Sequence, residues 1–176
     1  MKTRHLSYWL IPTAEDSDVL QTVINELATR FEAASFPPHL TLFAGPAASD
    51  EEPRHLLDSL SPDLVPRRLA VTHVDASDRF TMTLFLRCQP DPQLVSLHEQ
   101  IRANAPPSNY CLEPHLSLLY ADLPLSAKQS LAEEFSPPLK EIRFDRIRAV
   151  SHLSLIRTHK DIEDFHDLWE MKYHQS

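Results

Sequence analysis

The sequence predicts one domain of mixed α-helices and β-strands, built from two similar lobes. The chain has 176 residues, 42% hydrophobic and 24% charged, which is typical of a single globular domain. A short phrase occurs twice, as Pro38-His39-Leu40-Thr41-Leu42 and as Pro114-His115-Leu116-Ser117-Leu118. Each copy follows a predicted strand and a long predicted helix, so the phrase belongs to a larger internal duplication. No linker or change in composition divides the chain, and residues 1–176 are therefore expected to form a single bilobal domain.

The elements of the first lobe follow from local composition and periodicity. A run rich in aromatic and β-branched residues ends at Pro12 and predicts a strand. Apolar residues then recur at helical spacing, and the prolines at 37 and 38 end that helix. The predicted elements are a strand over Ser7–Thr13, a helix over 15–34, a strand over His39–Ala44 and a short helix over Glu51–Leu60.

The second lobe repeats the order of strand, long helix and motif strand. We expect a tight connection at 77–79 between its first two strands, and a helix cap at Ser126 or a neighbour. The segment 161–173 is compatible with either a helix or a strand. The other predicted elements are strands over Leu69–Ala76 and Phe80–Cys88, a helix over Pro92–Asn104, a strand over Pro114–Tyr120, a helix over Ser126–Phe135 and two consecutive strands within 142–157.

The duplicated phrase places a histidine two residues before a hydroxyl. Positions i and i+2 of a strand point to the same face, so His39 and Thr41 are expected to project together, and likewise His115 and Ser117. The leucines between them then point to the opposite face. Two such strands facing each other would bring two imidazoles and two hydroxyls into one cleft.

These four side chains suit acid–base chemistry on a phosphodiester. Histidine titrates near neutral pH, so one imidazole can accept a proton from water while the other protonates the leaving oxygen. The hydroxyls of Thr41 and Ser117 can donate hydrogen bonds to the non-bridging oxygens. This chemistry requires no metal ion and no cofactor. The alternative for a single His-x-Thr or His-x-Ser is an ordinary strand histidine, but two matching copies favour a functional site.

Composition excludes several other classes of function. The net charge of −8 argues against a dedicated nucleic-acid-binding protein. The chain has one glycine, Gly45, so it lacks the glycine-rich turns with which P-loop and dinucleotide-binding proteins hold phosphate. Six of its 17 basic residues lie within 140–160, where we favour a solvated strand face over a phosphate-attracting patch.

We expect a cytoplasmic protein with reduced thiols. Cys88 and Cys111 are too few for a disulfide framework, although a single bridge between them stays open. The sequence shows neither a signal peptide nor a run of about 20 apolar residues that could cross a membrane. The eight other histidines lack metal-ligand spacing, and zinc held by His39 and His115 would need a third ligand that the sequence does not supply.

The paired motifs resemble those of the two-histidine phosphoesterase superfamily, and more closely its cyclic phosphodiesterase branch. Three further segments carry the resemblance, which extends over most of the chain. These are Tyr8-Trp9-Leu10-Ile11-Pro12, His115-Leu116-Ser117-Leu118-Leu119-Tyr120, and the final strand Ser151-His152-Leu153-Ser154-Leu155-Ile156-Arg157-Thr158 together with Trp169. The plant members of this branch have disulfides that Cys88 and Cys111 do not reproduce, so loop structure and redox control do not transfer.

The resemblance implies an α+β fold of two antiparallel sheets that face a central cleft, with helices outside and pseudo-twofold symmetry. It implies metal-independent hydrolysis of cyclic phosphates such as ADP-ribose 1″,2″-cyclic phosphate or nucleoside 2′,3′-cyclic phosphates. His39 and His115 would be the catalytic pair, and Thr41 and Ser117 the phosphate ligands. Tyr120 matches an aromatic residue of the substrate cleft, with a core aromatic as the alternative.

Two other functions remain open at this point. One is an enzyme that processes the cyclic phosphate at an RNA terminus, against which the net charge argues. The other is a catalytically silent module that binds a nucleotide in the same cleft. We expect a monomer that acts on a small cyclic phosphate or nucleotide and has no membrane partner.

Overall fold

Seven antiparallel strands form one continuous sheet in the computed structural model, which describes residues 4–47, 49, 52–60, 64–153 and 155–173. The strands are β1 (Arg4–Pro12), β2 (Leu40–Pro46), β3 (Arg67–Asp75), β4 (Leu84–Cys88), β5 (His115–Leu119), β6 (Glu141–Leu153) and β7 (His166–Lys172). The helices are α1 (Ala14–Arg30), α2 (Glu52–Leu60), α3 (Pro92–Asn104), α4 (Leu125–Glu134) and α5 (His159–Glu163). The predicted α+β class is confirmed.

The sheet closes into a ring. Its strand order is β1-β2-β5-β4-β3-β6-β7, and β1 also pairs with β6. The two predicted sheets are therefore continuous with each other. Between β2 and β5 the register joins a single residue pair, Leu40 and Leu116.

The strand order is symmetric about the β2–β5 junction, as the internal duplication predicts. The unit β1-α1-β2 is repeated as β4-α3-β5, and each outer strand pairs antiparallel with its motif strand. Helix α1 packs against β5, while α3 packs against β2. Each long helix thus covers the motif strand of the other half.

Local signals set the ends of the long helices. Thr13 caps α1 by accepting a hydrogen bond from the amide of Asp16, and Asp91 caps α3 by accepting one from the amide of Leu94. The predicted cap of α4 is wrong, because Pro124 occupies the cap position and no side chain accepts a hydrogen bond there. The start of α2 predicted at Glu51 lies outside the described residues.

Two strand predictions need correction. Residues 142–157 do not form two strands, since β6 runs unbroken from Glu141 to Leu153 and no proline or glycine interrupts it. Its first residues pair with β3 and the rest pair with β1 and β7, so one strand serves both halves. The strand predicted to start at Phe80 starts at Leu84, because residues 80–82 form a 3₁₀ turn and the Thr83 hydroxyl bonds the Phe80 carbonyl.

The segment 161–173 contains both of the structures that its sequence allowed. Helix α5 ends at Glu163, and β7 follows along the edge of β6.

Cys88 is buried, Cys111 is exposed, and both are free thiols. Among the described residues, no helix is both long enough and apolar enough to span a bilayer.

Candidate active site

Strand alternation sorts the motif residues onto two faces. Leu40 and Leu42 are fully buried in the hydrophobic core, and so are Leu116 and Leu118. The histidines and hydroxyls point the other way, where all four line one cleft of about 190 Å³. The structure therefore brings His39, Thr41, His115 and Ser117 together.

Both histidine rings are oriented in the same way. Nδ1 of His39 lies 2.8 Å from the carbonyl oxygen of Pro37, and Nδ1 of His115 lies 2.5 Å from that of Glu113. A carbonyl only accepts hydrogen bonds, so Nδ1 carries the hydrogen in each ring. This leaves Nε2 of each imidazole available to the cleft.

The surroundings of the two rings differ. His39 is 7% exposed and lies face to face on Trp9, with ring centroids 3.6 Å apart and an interplanar angle of 13°. Burial lowers the pKa of His39 to about 3, with smaller contributions in the same direction from His115, Arg148 and His152. At neutral pH His39 is therefore a neutral imidazole.

His115 has an acidic neighbour that His39 lacks. Burial also lowers the pKa of His115, but the Glu113 carboxylate opposes this shift. That carboxylate accepts hydrogen bonds from Arg79 Nη2 at 2.9 and 3.1 Å and from Arg87 Nη1 at 3.4 Å. Phe85 meets the His115 ring edge to face at 5.4 Å. His115 is thus the imidazole next to a negative charge.

Thr41 and Ser117 are held by different hydrogen bonds. Ser117 donates its hydroxyl proton to the carbonyl of Thr81 at 2.7 Å. The backbone carbonyl of Thr41 accepts a hydrogen bond from the Tyr110 hydroxyl at 2.9 Å, which anchors the strand next to the Thr41 side chain. Ser117 must therefore give up an existing bond before it can donate to a ligand.

Tyr120 is both a cleft residue and a core residue. It lines the cleft, yet it is only 4% exposed and stacks on Phe36 with ring centroids 3.9 Å apart. Burial raises the pKa of its hydroxyl. Tyr120 is therefore both an aromatic residue of the cleft and an aromatic residue of the core, the two alternatives that the sequence left open.

The cleft contains several side chains that the sequence analysis did not assign to it. Trp9, Phe165 and Ile156 form an apolar wall, Arg79 contributes the one guanidinium among the lining residues, and Tyr110 closes another side. Ser7 and His152 lie at the same site. A signal for His152 is present in the sequence, because His152-Leu153-Ser154-Leu155 repeats the motif phrase a third time without the proline.

Three of the six basic residues of 140–160 are paired with carboxylates. Arg143 pairs with Asp16 and Glu15, and Arg148 pairs with Glu170 and Asp167. This supports the interpretation as a solvated strand face. Within the described ranges, no three His, Cys, Asp or Glu side chains converge as a metal site would require.

This fold and this pair of His-x-Thr/Ser motifs define a two-histidine phosphoesterase. A model of the family "Cyclic phosphodiesterase-like protein" matches residues 5–172, and the chain therefore belongs to that family. The resemblance seen in the sequence is confirmed, and so is the expected class of enzyme, a cyclic phosphodiesterase.

Named relatives agree with this assignment. The chain is 26% identical over 129 residues to the cyclic phosphodiesterase of Arabidopsis thaliana, covering 73% of this chain and 71% of that protein. It is 29% identical over 147 residues to the 2′,3′-cyclic-nucleotide 3′-phosphodiesterase of Phaeosphaeria nodorum, covering 72% and 74%. The crystal structure of E. coli LigT complexed with ATP superposes with a TM-score of 0.62 at 19% identity, covering 99% of this chain and all of that one. This last similarity concerns the fold.

Proposed function

We propose that this enzyme hydrolyses small cyclic phosphate esters, namely ADP-ribose 1″,2″-cyclic phosphate, nucleoside 2′,3′-cyclic phosphates or both, by acid–base catalysis without a metal ion. The observation that carries the proposal is the pair of imidazoles whose Nε2 atoms are left open to one cleft. One base and one acid on either side of a phosphorus atom suffice for in-line attack by water.

His39 is the general base in this proposal. Its lowered pKa keeps the ring neutral, so Nε2 can take a proton from the attacking water. The imidazolium that then forms lies against the face of Trp9, which stabilises a cation. This stabilisation grows as the positive charge develops and therefore favours the transition state.

His115 is the general acid. The Glu113 carboxylate favours its protonated form, and a bound phosphate anion adds a second negative charge. As the new bond between water and phosphorus forms, the ring P–O bond breaks and the departing ester oxygen takes the proton from Nε2. The product is a phosphate monoester, and His115 is reprotonated from solvent.

Thr41 and Ser117 stabilise the phosphoryl oxygens. Their hydroxyls lie on the same strand faces as the two imidazoles and line the same cleft. Ser117 exchanges its bond to the Thr81 carbonyl for a bond to the phosphate, whose negative charge makes it the stronger acceptor. Tyr120 contributes an aromatic wall to the same site.

The size of the cleft supports a small substrate. About 190 Å³ lies below the roughly 300 Å³ at which pockets for drug-sized ligands begin. This space suits a cyclic phosphate with its sugar, while the rest of a nucleotide extends towards solvent. LigT, which shares the fold, has been crystallised with ATP. We propose that RNA termini are poorer substrates, because the net charge of −8 disfavours extended contact with a polyanion.

The test is ring opening by protein treated with a chelator. The panel contains ADP-ribose 1″,2″-cyclic phosphate and the four nucleoside 2′,3′-cyclic phosphates, and we expect turnover of at least one of them. Chromatography of the monoester products measures this turnover. His39→Ala and His115→Ala should each lower kcat by about 10²–10⁴-fold, as loss of an acid or base group does.

His73→Ala is the matched control, since this side chain is 57% exposed on β3 and does not line the cleft. Its activity should equal that of the wild type. Near-normal turnover by either cleft variant would refute the catalytic assignment. Tight nucleotide binding without turnover would favour the binding module, and much faster turnover of an oligonucleotide ending in a 2′,3′-cyclic phosphate would favour the RNA-end enzyme.

A further inference from the structure

The cleft contains a hydrogen-bonded pair that the proposed chemistry does not use. Ser7 on β1 and His152 on β6 both line it, and they are only 4% and 7% exposed. Their Oγ and Nε2 atoms lie 2.7 Å apart. A buried polar pair that faces a substrate cleft is positioned to bind part of the substrate.

The direction of this hydrogen bond follows from the other ring nitrogen. Nδ1 of His152 lies 2.6 Å from the carbonyl oxygen of Leu153, so Nδ1 carries the hydrogen. Burial lowers the pKa of His152, and the ring is therefore neutral with an unprotonated Nε2. Ser7 must then donate its hydroxyl proton to His152, which leaves only the acceptor lone pairs of Ser7 Oγ for a ligand.

The surroundings of the pair are apolar and electrically balanced. Phe165 meets the His152 ring edge to face at 6.0 Å and meets Trp9 at 5.4 Å, and Ile156 lines the same wall. The guanidinium of Arg4, which lowers the pKa of His152, donates to Ser151 and pairs with Asp164 at 3.6 Å. An anion would gain little binding free energy in these surroundings. A neutral donor would form a hydrogen bond to Ser7 Oγ that is shielded from water.

The pair also lies at a defined position relative to the phosphate site. Ser7 and Trp9 are two residues apart on one face of β1, about 7 Å along the strand. Trp9 stacks on His39, and Ser7, Trp9 and His39 all line the same cleft. An ester bound at His39 therefore has its sugar or nucleobase in the cleft that Ser7 lines.

We propose that Ser7 Oγ forms a second subsite, which accepts a hydrogen bond from a neutral donor on the nucleoside part of the ester, and that His152 is the residue that positions it. The donor is a sugar hydroxyl or a nucleobase amino group, which share the same hydrogen-bond chemistry. This inference rests on the proposed hydrolysis of cyclic phosphate esters. It makes the third copy of the histidine phrase a determinant of specificity.

Three substrates distinguish the two sources of the donor. These are adenosine 2′,3′-cyclic phosphate, its 5′-deoxy analogue, and the 2′,3′-cyclic phosphate of purine riboside, which lacks the 6-amino group. We expect wild-type enzyme to prefer the adenosine ester over one of the two analogues by roughly 10- to 100-fold in kcat/KM, because that analogue leaves a buried acceptor unpaired. The analogue that is rejected identifies the donor.

Variants of the pair should abolish this preference. Ser7→Ala and His152→Leu should bring the ratio of kcat/KM values close to one, mainly through a higher KM for the adenosine ester. His152→Gln keeps an acceptor for the Ser7 proton and should retain part of the preference. Ser151→Ala is the control, since this neighbouring buried serine bonds Arg4 and does not line the cleft.

Two outcomes would overturn the inference. The wild type turning over all three substrates equally would show that Ser7 accepts nothing from them. Variants that lower all three kcat/KM values by one common factor would show a merely structural role. Both outcomes leave the proposed hydrolysis intact, whereas a wild type that turns over none of the three substrates, nor any other cyclic phosphate, would refute the proposed function and this inference with it.

Discussion

At the scale of single residues, the duplicated phrase determines the tautomer of both histidines. Proline at positions 38 and 114 restricts the preceding residue to extended backbone. The carbonyl of that preceding residue, Pro37 or Glu113, accepts the Nδ1 hydrogen. The proline of the phrase thus contributes to the chemistry without touching a substrate.

Glu113 makes the two halves of the site unequal, and this predicts a pH effect. The pKa of His115 lies below its ordinary value of 6.5, so the protonated acid is lost as pH rises and kcat/KM should fall above an optimum that lies below pH 6.5. In Glu113→Gln the favourable negative charge is gone and Arg79 loses its carboxylate partner, while Arg87 keeps its pair with Asp75. The falling limb of the pH–rate profile should therefore move to lower pH, with a larger loss of kcat/KM at pH 7 than at pH 5.

The matched control is Glu141→Gln, which removes an exposed carboxylate paired with Arg68 on the surface. Its profile of kcat/KM against pH, measured with a nucleoside 2′,3′-cyclic phosphate, should coincide with that of the wild type. A Glu113→Gln profile that keeps its falling limb in place would contradict the role of Glu113.

The sequence predicts the side chains whose positions depend on local alternation. His39, Thr41, His115 and Ser117 share a face because of the strand period alone, and the duplication indicates that the two strands meet. Ser7 and His152 are different, because β1 and β6 are paired across more than 130 residues of sequence. Local sequence patterns do not predict a pairing between strands so far apart in the chain. The proximity of Ser7 and His152 is therefore visible only in the structure.

At the scale of elements, β6 explains most of the difference between prediction and structure. Near Phe144 the pairing partners of β6 change from β3 to β1 and β7. The pattern of a single sequence cannot distinguish two consecutive strands from one long strand that changes its pairing partners. Helix α3 has its predicted bounds, because Asp91 and Pro92 start it with strong local signals.

The junction of α1 and β6 depends on one buried carboxylate. Asp16 is 4% exposed and accepts hydrogen bonds from the backbone N–H of Arg143 at 2.7 Å and from its Nη2 at 2.8 Å. These bonds lower the pKa of Asp16 despite its burial. We expect Asp16→Ala to lower the free energy of unfolding by about 2 kcal/mol, measured by urea denaturation at pH 7, because the backbone N–H and the guanidinium of Arg143 lose a charged acceptor.

Glu15 offers a matched comparison on the same arginine. Its side chain is 77% exposed, although it lies 2.7 Å from Arg143 Nη2. Glu15→Gln should therefore change the free energy of unfolding by less than about 1 kcal/mol. Equal effects of the two substitutions would mean that burial of Asp16 contributes nothing.

At the scale of the whole molecule, the closed ring of strands couples the two lobes. Because β6 pairs with strands of both halves, we propose that the chain unfolds as one unit in a single transition. The duplication is visible in sequence, but the closure of the ring depends on the β1–β6 and β3–β6 pairings and was not predictable from local patterns.

Buried neutral histidines make this molecule sensitive to acid. Unfolded histidine has a pKa of about 6.5, whereas the pKa of His39 is about 3 in the folded state. The stability due to neutral His39 is complete above pH 6.5 and is lost as pH falls towards 3, because the unfolded chain binds the proton first. Between pH 7 and pH 5 we expect His39 to account for about 2 kcal/mol of the decrease in free energy of unfolding.

Urea denaturation at both pH values checks this expectation. His39→Gln should reduce the difference between pH 7 and pH 5 by that amount, and His73→Gln, which alters an exposed side chain, should not. An unchanged difference in His39→Gln would show that the folded protein protonates His39 readily.

The single residue pair between β2 and β5 has a consequence for how such a protein can diverge. Each motif histidine directly precedes one of the two paired leucines, Leu40 and Leu116. The separation of the imidazoles is therefore set by one step of main-chain pairing, which is nearly independent of side-chain identity. Loops can lengthen and surface charges can change while the separation of the His39 and His115 imidazoles stays constant. Related proteins can therefore keep the same reaction while their substrate specificity changes.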